Sequence, residues 1–158
     1  MKYIFFNSLF LLYSLFSTGG IGDKILQNSF YAALSSESMD NINAQLFILK
    51  GSALVDKEAY EGALLMKKAG LIKGAKEKLD LFKAGRLKLE SSISKNNSNI
   101  EYRFLRLIIQ EHAPKILKYR SDIEPDSRLI RSNFNNLPTA LQRLILDYSK
   151  RSKALKLS

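Results

Sequence analysis

The chain has 158 residues, 46% of them hydrophobic and 25% charged, a size and balance that support one domain with a short appended segment and exclude disorder throughout. It contains no cysteine, which excludes disulfides, thiolate metal sites, cysteine nucleophiles and a lipid-modified cysteine anchor. The formal charge of +10 permits an anionic partner and does not name one.

At the N-terminus, Lys2 precedes a mostly apolar run from Tyr3 to Phe16, broken by Asn7, Ser8 and Ser14 and followed by Ser17-Thr18-Gly19-Gly20-Ile21-Gly22. This is the layout of a secretory signal peptide. Ser17 and Gly19 fit the small-residue positions before a cut ahead of Gly20; Thr18 with Gly20, and Gly20 with Gly22, fit alternative cuts. The competing reading is a membrane anchor. As a helix the run from Tyr3 to Phe16 would reach only about 21 Å, short of a hydrocarbon core of about 30 Å. The expectation is a leader over residues 1–22 and an exported domain, periplasmic or secreted, over residues 23–158.

The rest of the chain reads as helices. Asp23 to Leu34 carries Ile25, Leu26, Phe30 and Ala33 at three- and four-residue intervals. After the polar Ser35-Ser36-Glu37-Ser38, a second helix opens at about Met39 with the stripe Met39, Ile42, Leu46 and Leu49, and Gly51-Ser52 ends it. A third runs from about Leu54 to Ala69 with Ala59, Ala63 and Met66 on one face. Gly62 within it costs roughly 1 kcal/mol against Ala, so close helix packing is expected there. A fourth, from about Ala75 to Lys95, turns Leu79, Phe82, Leu89 and Ile93 inward and lysines outward. Asn96-Asn97 ends it.

A capping box, Ser98-Asn99-Ile100-Glu101, starts the fifth helix: the Ser98 hydroxyl accepts a backbone N–H while Glu101 reaches back to the N–H of Ser98. Ile100, Phe104, Leu107 and Ile108 share a face, and Pro114 bounds the far end. Ile116, Leu117 and Tyr119 make a short turn at most. Pro125 and Asp126 open a sixth helix with Leu129, Ile130 and Phe134, and Pro138 opens the last, with Leu141, Leu144, Ile145 and Tyr148 as its stripe. No stretch from Asp23 onward alternates with period two long enough to be a strand. Phe30, Phe47, Tyr60, Phe82, Phe104, Phe134 and Tyr148 put about one large ring on each helix, as expected when all share one interior. The fold class is all-α: helical hairpins packed as a short repeat array or an irregular bundle.

The segment Ile93-Ser94-Lys95-Asn96-Asn97-Ser98-Asn99 leading into Ile100-Glu101-Tyr102-Arg103-Phe104-Leu105, with Ala59-Tyr60-Glu61-Gly62-Ala63 upstream, resembles tetratricopeptide-repeat sequences. The likeness covers about residues 54–114. It departs from the family at Lys95, where Pro is preferred, in the absence of Trp, and in the length of the connection and helix after Ala69. The whole also resembles small exported bacterial proteins to which no activity attaches. The repeat resemblance implies a scaffold that binds a peptide or protein along a concave face of first helices. On this chain that face would carry Tyr60, Tyr102, Arg103, Arg106 and Gln110.

Chemistry is sparse. His112 is the only histidine; no nucleophile motif or ligand set accompanies it, so it reads as a cation at a helix C-terminus. Asp122, Glu124 and Asp126 have calcium-loop spacing, but Ser127 and Asn133 stand where Gly and Glu are needed, and the acids fit a helix N-terminus instead. Gly70-x-x-x-Gly74-x-Lys76 lacks the spacing of a phosphate loop. No enzyme activity, metal or cofactor is expected. From Lys67 to Lys88 eight basic residues face two acidic ones, so Lys73, Lys76, Lys83 and Arg86 are a candidate basic face for nucleic acid or an anionic envelope surface, against the alternative of a solvated side. Lys150, Arg151, Lys153 and Lys156 suit the last turns of the final helix.

Overall fold

The computed structural model describes residues 19–157. The expected leader falls outside them except for Gly19–Gly22, which form the first turn of a helix. Among the described residues the fold is all-α: α1 (Gly19–Ser35), α2 (Met39–Gly51), α3 (Lys57–Leu71), α4 (Ala75–Lys95), α5 (Ile100–His112), α6 (Ile123–Asn133) and α7 (Thr139–Ser149), with single 3-10 turns at Lys115–Leu117 and Phe134–Asn136. None of these helices is long and apolar enough to cross a membrane.

Local chemistry sets the boundaries. The Ser38 hydroxyl accepts the Asn41 N–H at the start of α2, with Asp40 in the first turn and Lys50 in the last, both suited to the helix dipole. At the start of α5 the structure corrects the expected capping box. Asn99, not Ser98, is the cap: its side chain accepts the Tyr102 N–H at 3.1 Å. The Ser98 hydroxyl donates to Asn96 instead. Glu101 is drawn into the interior by donors from other helices. Lys118, with φ 48° and ψ 39°, takes a left-handed turn between the 3-10 turn and α6, and the neighbouring Tyr119 ring is buried.

The tightest seam is the α3–α4 hairpin. A Cβ on Gly62 would stand 2.7 Å from the Gly85 carbonyl oxygen and 2.8 Å from the Leu89 nitrogen; one on Gly85 would stand 2.6 Å from the Gly62 oxygen. Only glycine lets two helix backbones come so close. The hydrophobic core runs through α3 and α5. α1, α2, α4 and α5 pack against α3, and α3, α4 and α6 pack against α5. Phe30 stacks on Tyr60 with ring centroids 3.9 Å apart, and Phe104 meets Tyr148 edge-on at 5.5 Å, which brings α7 in.

Several expected inward residues point outward. Phe47 is 81% exposed, because α2 buries Ile42, Gln45 and Leu49 and position 47 lies about 200° round the helix from both 45 and 49. Ile25 and Leu79 are exposed too, and Phe134 is half-buried. The last helix ends at Ser149, so the basic cluster expected in its final turns belongs to a tail that folds back and buries Leu155 completely.

Candidate functional site

The residues singled out for an open concave face are committed to the interior. Tyr60, Tyr102, Arg106 and Gln110 are all buried, and Arg103 is mostly covered. Tyr60 and Tyr31 each donate a hydroxyl hydrogen bond to Glu101 Oε1, at 2.7 and 3.0 Å, and the Gln27 amide donates to the same oxygen at 2.9 Å. Burial raises the Glu101 carboxyl above its ordinary pKa, and the three donors only partly offset this. Burial, with the carboxylate beside it, likewise pushes the Tyr60 hydroxyl up. Tyr102 donates to Asp56 at 2.7 Å. This cluster ties α1, α3 and α5 together.

Arg103 and Arg106 do share a face, as their spacing requires, but α6 covers it. The Arg106 guanidinium binds Asp126 through two hydrogen bonds of 2.7 and 2.8 Å, donates to Glu90 at 2.9 Å and lies 3.3 Å from Asp122. Burial opposes its charge; the Asp126, Glu90 and Asp122 carboxylates outweigh that and hold its pKa above the ordinary value. Arg103 adds a 3.5 Å contact to Asp126 and donates to the Asn97 carbonyl at 3.0 Å. Gln110 donates to Asp122 and accepts its N–H. Of the carboxylates that open α6, Asp122 and Asp126 are therefore partners of α5, while the exposed Glu124 pairs within α6 with Arg128 and Arg131. Among the described residues no group of three or more His, Asp or Glu is placed to hold a metal ion.

The candidate basic face is partly neutralised. Lys76 pairs with Asp80 at 2.6 Å, and the Arg86 guanidinium lies 4.7 Å above the Tyr119 ring. Lys73 and Lys83 are exposed and make no ion pair among the described residues.

A shallow depression of about 650 Å³ runs beside Lys76 along the start of α4; the more enclosed space lies elsewhere. The C-terminal halves of α1, α5 and α7 enclose a groove of about 580 Å³. Its floor is Tyr31, Phe104, Ile108, Leu144 and Tyr148; Asn28 and Ala32 line the α1 wall, and the 2.6 Å Glu37–Lys67 ion pair lies at its edge. His112 also lines it. His112 Nδ1 lies 2.8 Å from the Ile108 carbonyl oxygen, which can only accept, so that nitrogen carries the proton.

Next to the groove is a second cavity of about 540 Å³, walled by Arg120, Arg151, Lys153 and Glu111 and sharing His112, Tyr148 and Arg151 with it. Glu111 is fully engaged: Tyr148 and Ser152 hydroxyls donate to Oε2 at 2.6 and 2.7 Å, and the Lys153 and Ala154 N–H groups donate to Oε1 at 2.9 and 3.0 Å. Burial works against its charge, but these four donors win and hold its carboxyl below the usual range. Glu111 thus pins the tail onto α5. Sequence reasoning missed the groove because its walls are three helices far apart in the chain. The stripe Leu141, Leu144, Ile145 and Tyr148 and the lone His112 were the visible signals.

The chain matches no protein-family model, no curated protein and no solved structure.

Proposed function

We propose that the protein is a binding module that seats a peptide segment of a partner in the groove between α1, α5 and α7. The observation that carries this reading is the groove itself: a concavity of about 580 Å³ with an aromatic and aliphatic floor and polar groups of both signs at its rim. Its size is that of ligand-binding clefts generally. Ile108 and Leu144 are half-buried and present apolar contact area at the floor, backed by the buried and therefore fixed rings of Tyr31, Phe104 and Tyr148. Mixed rim polarity suits a peptide backbone, which needs both donors and acceptors along its length. Export, read from residues 1–22, belongs to the same proposal and would place the partner in the envelope or outside the cell. An N-terminal mass measurement on the mature protein tests that part: a chain starting at Met1 in the cytosol would overturn it.

The groove is tested by panning a random dodecapeptide display library on the full chain and, in parallel, on Ala32→Trp. Ala32 is exposed on the groove wall, so the indole fills the groove without disturbing the core. Peptides enriched on the parent and lost on the variant are the expected result. Enrichment of the same peptides on both chains, or of none on either, would overturn the proposal.

A further inference from the structure

The second cavity carries this reading further. We propose that the cations walling it, Arg120, Arg151 and Lys153, receive the carboxylates of an acidic peptide whose apolar side chains lie in the adjoining groove. The inference rests on the groove reading and adds the chemical class of the partner. Three observations carry it.

The first is charge complementarity. Arg120, Arg151 and Lys153 give the lining three positive charges against the single negative charge of Glu111. Glu111 offsets one of them and leaves the lining with an excess of two positive charges; its oxygens are taken by the Tyr148 and Ser152 hydroxyls and by two backbone N–H groups, so it makes no direct ion pair with any of the three. Among the described residues no carboxylate forms an ion pair with Arg120, Arg151 or Lys153, whereas Arg103, Arg106, Arg128 and Arg131 are all paired. Asp147, the nearest acid on the groove rim in sequence, is held by Lys150 at 2.7 Å.

The second is continuity. His112, Tyr148 and Arg151 line both spaces. A ligand that fills the pair has an apolar portion and an anionic portion side by side.

The third is rigidity. Arg151 and Lys153 flank Ser152, whose hydroxyl is fixed by Glu111, and the Arg151 guanidinium lies 5.3 Å from the centre of the Tyr148 ring. Their backbone is held before any partner arrives, which lowers the entropic loss of binding. Guanidinium groups so placed favour planar carboxylates, which they bind in two-pronged fashion. A run of phosphates, by contrast, would meet Glu37 and Asp147 along the groove.

The test adds a second variant, Arg120→Gln with Lys153→Gln, to the library panning at physiological salt. Among the described residues neither side chain makes an ion pair, and the Lys153 N–H that holds Glu111 is retained. The parent chain should enrich peptides that join neighbouring apolar residues to two or more Asp or Glu; the double variant should enrich apolar peptides without the acidic bias. A selected acidic peptide should bind the double variant at least tenfold more weakly, and its Asn/Gln counterpart should bind both chains alike. Absence of acidic bias on the parent, or equal affinity of the acidic peptide for both chains, overturns the inference and leaves the groove standing. Failure of Ala32→Trp to change the selected set, or no enrichment at all, overturns both. Displacement of the selected peptide by phosphatidylglycerol vesicles or by a single-stranded oligonucleotide, lost in the double variant, would reassign the cavity to a phosphate ligand and overturn the peptide.

Discussion

Replacing Gly62 by alanine should destabilise the domain, although alanine is the better helix former. The added Cβ would lie 2.7 Å from the Gly85 oxygen and 2.8 Å from the Leu89 nitrogen, both backbone atoms that no side-chain rotation can clear. Ordinary contact begins near 3.4 Å, so α3 and α4 would have to separate by about 0.7 Å along the best-packed seam of the fold. Overpacking of this kind costs about 1–3 kcal/mol, with rigid opposing atoms at the upper end. Helix propensity returns about 1 kcal/mol. The net loss is about 2 kcal/mol, roughly a thirtyfold fall in the folding constant or about 4–8 °C in Tm for a domain of this size. Gly85→Ala, facing the Gly62 oxygen at 2.6 Å, should behave alike. Gly70→Ala, with nothing within 4 Å of its Cβ, should be neutral or raise stability by up to about 1 kcal/mol. Urea denaturation followed by far-ultraviolet circular dichroism measures all three. A Gly62→Ala protein as stable as the parent would refute the close approach of α3 and α4.

Three further substitutions probe the polar interior. Arg106→Met leaves Asp126, only 1% exposed, without its two hydrogen bonds and with only the longer 3.5 Å contact to Arg103 as counter-charge, and should cost about 3 kcal/mol; pairing it with Asp126→Leu should recover much of that loss, and a double mutant as unstable as the single would argue against the buried pair. Glu101→Gln keeps an acceptor for Tyr31, Tyr60 and Gln27 and removes a charge whose pKa burial raises. The folded parent binds the extra proton, so its stability falls as pH rises above the unfolded carboxyl value near 4.5; the variant should gain on the parent from about pH 4 to 7 in paired melts, and a gap that ignores pH would contradict this. Glu111 has the opposite sign, its pKa being lowered: Glu111→Gln turns an amide N–H₂ toward two donors and should lose about 1–2 kcal/mol at pH 7. That loss should shrink as pH falls below about 4 and the parent's carboxyl protonates; a loss equally large at pH 3 would contradict it.

Helix existence and most boundaries were legible because local signals and packing agree. The 3.6-residue stripes are bounded by Gly51, the Asn96–Asn97 turn, Pro114 and Pro138, and α2, α4 and α5 occupy the spans these residues delimit. Gly62 was legible as a close contact because a glycine within a helix is costly without one. What was not legible depends on partners distant in the chain. Glu101 looked like half of a local capping box, yet its donors stand 41, 70 and 74 positions away. Arg103 and Arg106 were correctly placed on one face, but no local pattern shows that α6 covers it. The tail from Lys150 reads as more helix until Glu111, some forty positions upstream, is seen to accept the Lys153 and Ala154 N–H groups. The groove is legible only after α1, α5 and α7 are brought together.

The most direct measurement of the groove uses the absence of tryptophan from the chain. Asn28→Trp puts a single indole on the exposed groove wall, and its emission can be followed while a library-selected peptide is titrated in. A saturable shift of that emission to shorter wavelength, at the same peptide concentration that saturates anisotropy of the labelled peptide, is the expected result. Peptide that binds by anisotropy while the indole emission stays unchanged would place the partner elsewhere on the surface and contradict the account.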